Sequence, residues 1–127
     1  MYLNKHLVHW ITRYSKNINL TLDNLQTALQ YKLPDMQFEG AAFSWGFEIF
    51  SPIEDVKYMH TDGVMRQHYF VITVDCIKNA IRVYIYKEEL MMADFFQIRA
   101  SFFKITESIK EYLKEHKHVD KMISDLI

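Results

Sequence analysis

The chain has 127 residues and a formal net charge of −1, so its overall charge gives no reason to expect binding to nucleic acid or to an anionic membrane. Apolar residues make up 50% of the chain and charged residues 24%, a composition typical of a globular protein, and we expect one domain over residues 1–127. A single cysteine excludes an internal disulfide framework, and neither a secretory signal nor a run of about 20 apolar residues is visible. We therefore expect a cytoplasmic protein that does not enter membranes.

The first third of the chain predicts two helices. Five apolar residues recur at helical spacing and would form the buried side of the first helix: Leu3, Leu7, Trp10, Ile11 and Tyr14. Four residues that can carry positive charge would run along its opposite side: Lys5, His9, Arg13 and Lys16. We interpret this basic stripe as a solvated surface, with contact to nucleic-acid phosphates as the alternative. Thr21 is suited to cap a second helix, which Pro34 would end at about Leu33.

From Phe38 onwards the hydrophobic period changes to two, which predicts an antiparallel meander of three or four strands. The first strand would carry one heavily aromatic face, made by Phe43, Trp45, Phe47 and Ile49. The pattern Ala42-x-Ser44-x-Gly46 superficially matches a nucleophile elbow. That motif requires a strand-to-helix turn in a much larger sheet, so we interpret the residues as part of a strand.

A turn is expected over residues 51–55, followed by a short strand and a hairpin turn at Asp62-Gly63. In that register Lys57 faces His68, and His60 points to the opposite face of the sheet from His68. A metal ion shared by His60, Asp62 and His68 is therefore not predicted.

The strongest strand signal is a hairpin of residues 69–77 and 80–87, with Lys78-Asn79 as a two-residue turn. That turn would place Asp75 opposite Arg82 and Cys76 opposite Ile81. One face would be apolar and must be core, and it would carry Phe70, Ile72, Val74, Cys76, Ile81, Val83 and Ile85. Cys76 is therefore expected to be a buried, structural thiol. The other face would carry tyrosines together with the Asp75–Arg82 pair.

The last third of the chain predicts a long helix, or two helices, packed on the sheet. Apolar residues recur at spacings of three and four from residue 95: Phe95, Ile98, Phe102, Ile105, Ile109 and Tyr112. His116-Lys-His118 is the one place where the helix would kink or end. If the helix continues, Val119, Ile123 and Leu126 form an apolar ridge that could meet a second subunit.

These elements together predict an α+β fold, and no motif identifies a family. The leading functional interpretation is a non-enzymatic protein-binding module, such as an inhibitor, an immunity-type protein or an adaptor, with a homodimer as one form. Tyrosine and arginine are enriched at interface hot spots, so the expected contact residues are Tyr69, Arg82, Tyr84 and Tyr86, with the ridge of Val119, Ile123 and Leu126.

Two alternatives stay open at this point. The first is a small-molecule pocket between sheet and helices, for which the available polar groups are Asp75, Arg82, Tyr84 and His68. The second is nucleic-acid binding through the basic stripe of the first helix. No cofactor or metal site is predicted, and the absence of a convincing catalytic group in the sequence favours a protein that is not an enzyme.

Overall fold

The computed structural model describes residues 9–59, 65–85 and 95–126, with side chains described for residues 9–53, 69–85 and 98–116. Its elements are, in chain order, β1 (His9–Arg13), α1 (Leu22–Lys32), β2 (Glu39–Phe43), β3 (Gly46–Met59), β4 (Met65–Asp75), β5 (Ala80–Ile85) and α2 (Phe95–Leu126). The five described strands form one antiparallel sheet in the order β1-β5-β4-β3-β2. The predicted α+β class is confirmed, with β2 to β5 as a meander and β1 added beside β5.

The prediction of two N-terminal helices is wrong, because His9–Arg13 forms strand β1. Trp10 pairs with Val83, and its neighbour Ile11 pairs with Arg82 and is 55% exposed. The strand therefore places Trp10 and Ile11 on opposite faces of the sheet, whereas the predicted helix would have buried both on one side. A short segment with aromatic and β-branched residues fits either a helix or a strand. Pairing with β5, which is distant in sequence, decides in favour of the strand. Leu3, Lys5 and Leu7 lie outside the described residues.

Helix α1 lies where the sequence predicts the second helix. The Thr21 hydroxyl accepts a hydrogen bond from the backbone N–H of Asn24 at 3.1 Å and so caps the helix N-terminus. Leu25 and Leu29 are fully buried on one side of the helix. The Gln26 side-chain amide donates to the carbonyl oxygen of Phe38 at 2.9 Å, which ties the helix to the chain that leads into β2.

The predicted aromatic strand is two strands, joined by a turn at Ser44-Trp45. Phe43 pairs with Gly46, so Phe43 and Phe47 lie on opposite faces of the sheet, and the prediction of one shared aromatic face is wrong. The rings of Phe43 and Trp45 stack with their centroids 5.1 Å apart. Alternation of large and small residues continues through this turn, and for that reason the sequence period does not reveal it.

Residues 51–55 are not the predicted turn, because they lie within β3. The pairing with β4 shifts between Pro52 and Lys57, which marks an irregularity of the kind where a strand tolerates proline. Beyond the shift, Lys57 faces Gln67, one residue away from the predicted partner His68. His60, Asp62 and Gly63 lie outside the described residues.

The hairpin of β4 and β5 has a four-residue connection, so the predicted two-residue turn at Lys78-Asn79 is wrong. The strands end at the pair Asp75 and Ala80, and Arg82 faces Thr73 instead of Asp75. One carboxylate oxygen of Asp75 accepts hydrogen bonds from the backbone N–H groups of Ile77 and Lys78, both at 3.0 Å, which holds the turn. The register thus differs by two residues from the prediction, and a shift of two leaves the residues of both strands on their predicted faces, while Cys76 moves from the strand into the turn.

Both helices pack on one face of the sheet, called the inner face. Its buried residues are Phe47, Ile49, Ser51, Phe70, Ile72, Val74, Ile81, Val83 and Ile85. From α2, the buried apolar side chains among those described are ones that the spacing predicts, namely Ile98, Phe102, Ile105, Ile109 and Tyr112. Thr106 and Ser108 of α2 are buried as well, which the spacing does not predict. Helix α2 continues past His116 to Leu126, so the C-terminal segment is one helix.

An ion pair joins the two helices. The Lys32 ammonium lies 3.3 Å from a carboxylate oxygen of Glu111 and 3.2 Å from one of Glu115, and the Lys32 side chain is 18% exposed. Desolvation lowers the pKa of Lys32, but the bonds to Glu115 and Glu111 outweigh it, so the pKa is raised from its ordinary value.

We expect Lys32→Met to lower the free energy of unfolding by up to about 1 kcal/mol at pH 7, since the carboxylates are half exposed and water screens the pair. A folded-state pKa above the unfolded value of about 10.4 means that the contribution is complete below that pH. It is lost as the pH rises through the folded-state pKa, so the deficit of the variant should shrink in the alkaline range. Urea unfolding from pH 7 to beyond that pKa measures this, with Lys104→Met, an exposed position on α2, as the control. A deficit that stays constant with pH would contradict the assignment.

A second prediction concerns Gly46, whose φ is 156°, a value that residues with a Cβ rarely adopt. A Cβ atom there would clash with the backbone oxygen of Val74, which cannot move without breaking the sheet. We expect Gly46→Ala to cost roughly 2–3 kcal/mol of unfolding free energy.

The matched control for this substitution is Gly40→Ala. Its Cβ would also be too close to neighbours, but these are the ends of the Leu22 and Gln26 side chains, which can rotate away. Equal losses for the two variants in urea unfolding would show that the backbone contact at Gly46 is not the cause.

Candidate functional site

The face of the sheet that points away from both helices is called the outer face. Alternate residues of the five strands define it: His9, Ile11 and Arg13 from β1; Ala80, Arg82 and Tyr84 from β5; Tyr69, Val71, Thr73 and Asp75 from β4; Gly46, Glu48, Phe50 and Pro52 from β3; Glu39, Ala41 and Phe43 from β2. Because the helices occupy the inner face, within the described part of the chain this is the sheet surface that a partner could reach.

Strand pairing aligns these residues in rows that cross the sheet from β1 to β2. The middle row reads Ile11, Arg82, Thr73, Glu48, Ala41. The row on one side of it reads His9, Tyr84, Val71, Phe50, Glu39, and the row on the other side reads Arg13, Ala80, Asp75, Gly46, Phe43. Tyr84 and Phe50 therefore flank Val71 on the central strand, and Arg82 and Glu48 flank Thr73.

The charges of the outer face are separated across the sheet. Arg13 and Arg82 stand on β1 and β5, and Glu39 and Glu48 stand on β2 and β3. The backbones of Arg82 and Glu48 are two strand spacings apart, about 10 Å. The Thr73 hydroxyl between them donates a hydrogen bond to Glu48 at 3.3 Å. One side of the face is therefore basic and the other acidic.

Accessibility on this face rises from the centre to the outer strands. Val71 on the central strand is 1% exposed, and Tyr69, Tyr84 and Phe50 are half-buried, whereas Ile11 on β1 is 55% exposed and Phe43 on β2 is 46% exposed. Partly exposed aromatic groups beside an exposed arginine are characteristic of protein interfaces, where water is excluded from rings and guanidinium stems.

Three of the predicted contact residues share the outer face, namely Tyr69, Arg82 and Tyr84. Tyr86 lies outside the described residues. Val119, Ile123 and Leu126 belong to α2, but their side chains are not among those described.

The residues of the basic stripe do not form the predicted helical surface. His9 and Arg13 lie on the outer face of β1, and Lys16 is exposed in the loop that follows the strand. Lys5 lies outside the described residues. His9 and Arg13 are four positions apart. A helix would place them on one side because four residues is about one turn, and the strand places them on one face because side chains alternate every second residue.

The polar residues considered for a pocket between sheet and helices stand elsewhere. Asp75, Arg82 and Tyr84 are on the outer face, with the sheet between them and the helices. The inner face is filled by apolar residues such as Ile49, Ile72 and Val83, each with no exposed surface. This arrangement does not favour the pocket interpretation.

Sequence reasoning missed two members of the site, Glu48 and Phe50. Their alternation with buried Phe47 and Ile49 is a signal that they face outwards. Their position beside Thr73 and Val71 depends on the register of β3 with β4, and residue types along β3 do not determine that register.

Cys76 is exposed, which contradicts the prediction of a buried thiol. It lies in the turn after β4, where its backbone N–H donates to the carbonyl oxygen of Trp45 at 2.9 Å. The Tyr14 hydroxyl lies beside the side chains of Cys76 and Asn79. Burial, with a smaller effect of the hydrogen bond to Cys76, raises the pKa of Tyr14 to about 12.

No family model matches this chain, and neither a curated protein nor a solved structure matches it significantly. Within the described residues, no three His, Cys, Asp or Glu side chains come together as a metal ion would require. In the same part of the chain, no helix combines the length and the apolar character needed to cross a membrane.

The position of Cys76 gives a direct prediction. We expect the folded protein to react with a thiol reagent such as dithionitrobenzoate at a rate similar to that of the urea-unfolded chain, because the thiol is exposed. Reaction that occurs only after unfolding would contradict this prediction. It would mean that the thiol is buried on the inner face, as the two-residue turn at Lys78-Asn79 would require.

Proposed function

We propose that this chain is a protein-binding module and that the outer face is its docking surface. The observation that carries the proposal is the position of exposed Arg82 beside half-buried Tyr84, with Phe50 across β4 from Tyr84, on the side of the sheet away from both helices. Tyrosine and arginine contribute large contact areas and several hydrogen-bond donors, and they dominate the energetics of many interfaces.

Arg82 is suited to reach a partner. Its side chain is exposed, and it has no ion pair among the described residues, since its cross-strand neighbours are Thr73 and Ile11. A partner carboxylate could therefore bind the guanidinium in the bidentate manner that arginine favours. The cost of desolvating Arg82 would be offset by that pairing, while a monomer leaves it hydrated.

The aromatic residues would supply the apolar part of the contact. Complete burial of a large apolar side chain is worth about 1.5–3 kcal/mol, and Tyr84, Phe50 and Tyr69 are already half-buried. Each can therefore contribute roughly 1 kcal/mol when a partner covers it. Several such contributions, with Arg82, are enough for a specific complex of moderate affinity.

The test is a double substitution, Arg82→Glu with Tyr84→Ala, in affinity-tagged protein purified gently from its own cells and measured by native mass spectrometry. We expect the wild-type protein to retain a protein subunit and the double variant to lose it, because the substitutions reverse the charge and remove the ring at the centre of the contact.

The control for this experiment is Tyr31→Ala on α1. Tyr31 is 87% exposed and lies outside the outer face, so removal of its ring should leave the complex intact. Circular dichroism would establish that both variants are folded. A double variant that retains every partner of the wild-type protein would refute the proposal.

A further inference from the structure

We infer that the protein docked on the outer face is a second copy of this chain, related by a two-fold axis that runs parallel to the strands over β4. The inference rests on the proposed function and adds the identity of the partner. It depends on how charge is distributed over the five strands.

The outer face is complementary to itself. Arg82 stands one strand to one side of β4, and Glu48 stands one strand to the other side in the same row. Interfaces between identical subunits are isologous, so the surface of each copy must match itself after rotation. A face with opposite charges placed symmetrically about a central strand meets this condition.

Charge also selects the direction of the axis. A two-fold axis perpendicular to the strands would place β1 on β1 and β5 on β5. The basic side of one copy, which carries Arg82, would then face the basic side of the other copy. An axis parallel to the strands instead reverses the strand order, so β5 of one copy lies over β3 of the other. The second arrangement places basic strands on acidic strands and avoids like-charge repulsion.

With this axis each row lies over the same row of the second copy. In the middle row Arg82 of each copy faces Glu48 of the other, with Thr73 on the axis. In the adjacent row Tyr84 faces Phe50, which are two aromatic groups of similar size. Val71 between them is 1% exposed, so it lies beneath the contact and adds no area to it. Two ion pairs and two aromatic pairs therefore form from four residues of each chain.

One contact opposes association. Asp75 lies on the central strand, so two copies would bring two of these carboxylates towards each other. Asp75 is the last residue of β4, and its carboxylate already accepts two backbone hydrogen bonds from the turn. Packed sheets cross at about 30°, and the ends of facing strands diverge, which reduces the repulsion there.

The size of the face limits the affinity. Four strand spacings across the sheet give about 20 Å, and the six residue spacings from Tyr69 to Asp75 give about 20 Å along β4. A flat area of about 400 Å² is half of the roughly 800 Å² per partner in a stable complex. We therefore expect a dimer with a micromolar dissociation constant, which is populated at high protein concentration.

The test reverses the charge of one residue of the ion pair at a time. The dissociation constant of the dimer is measured by sedimentation equilibrium from about 1 µM to about 1 mM protein. Arg82→Glu alone, and Glu48→Arg alone, should each raise the dissociation constant by roughly tenfold or more, because each creates two like-charge contacts. An equimolar mixture of the two single variants should restore association, since the mixed dimer has two opposite-charge contacts. The double variant Arg82→Glu/Glu48→Arg should restore it as well.

The rescue by mixing also shows that the single variants are folded, because misfolded chains would not recover association together. Wild-type protein that stays monomeric over the whole range would overturn the second copy as partner, and the capture experiment with Arg82→Glu/Tyr84→Ala would then decide the proposed function separately. A wild-type dimer that both single variants retain unchanged would overturn the arrangement of the two faces.

Discussion

Burial of Ile72 and Val74 of the central strand is the constraint on which the rest of the structure depends. Both side chains have no exposed surface and belong to the core cluster that includes residues of α1 and α2. Side chains alternate along a strand, so Thr73 and Val71 must then point the other way. The same alternation passes through each paired strand and places Arg82, Tyr84, Glu48 and Phe50 outside. The outer face follows from the requirement to fill the core.

The sequence predicts the faces of the central hairpin better than its register. Alternation assigns Phe70, Ile72 and Val74 to the core whatever their partners, because a shift of two residues conserves the face. The register itself depends on the turn, where Asp75 bonds two backbone N–H groups and Asn79 adopts a positive φ of 52°. Helix α1 was predictable from local signals, the Thr21 cap and the stop at Pro34. Strand β1 was not, since its partner is about 70 residues away.

The candidate site shows the same division between local and distant information. Tyr69, Arg82 and Tyr84 could be assigned to one surface from β4 and β5 alone. Glu48 and Phe50 could not be joined to them, because the Ser44-Trp45 turn is hidden within an alternating run and the pairing shifts after Pro52. The register that separates Arg82 from Asp75 also changes its chemistry. Facing Thr73, the guanidinium has no carboxylate directly across the ladder.

The two outermost strands of the described sheet have a consequence for unwanted association. Unpaired backbone groups at a sheet edge can template the addition of further strands, and proteins limit this with short or poorly suited edges. Within the described residues β1 and β2 have five residues each, and β2 contains Gly40, Ala41 and Ala42, which have low β-propensity. Growth of the sheet through its edges into larger aggregates is therefore disfavoured by the same short strands that complete the fold.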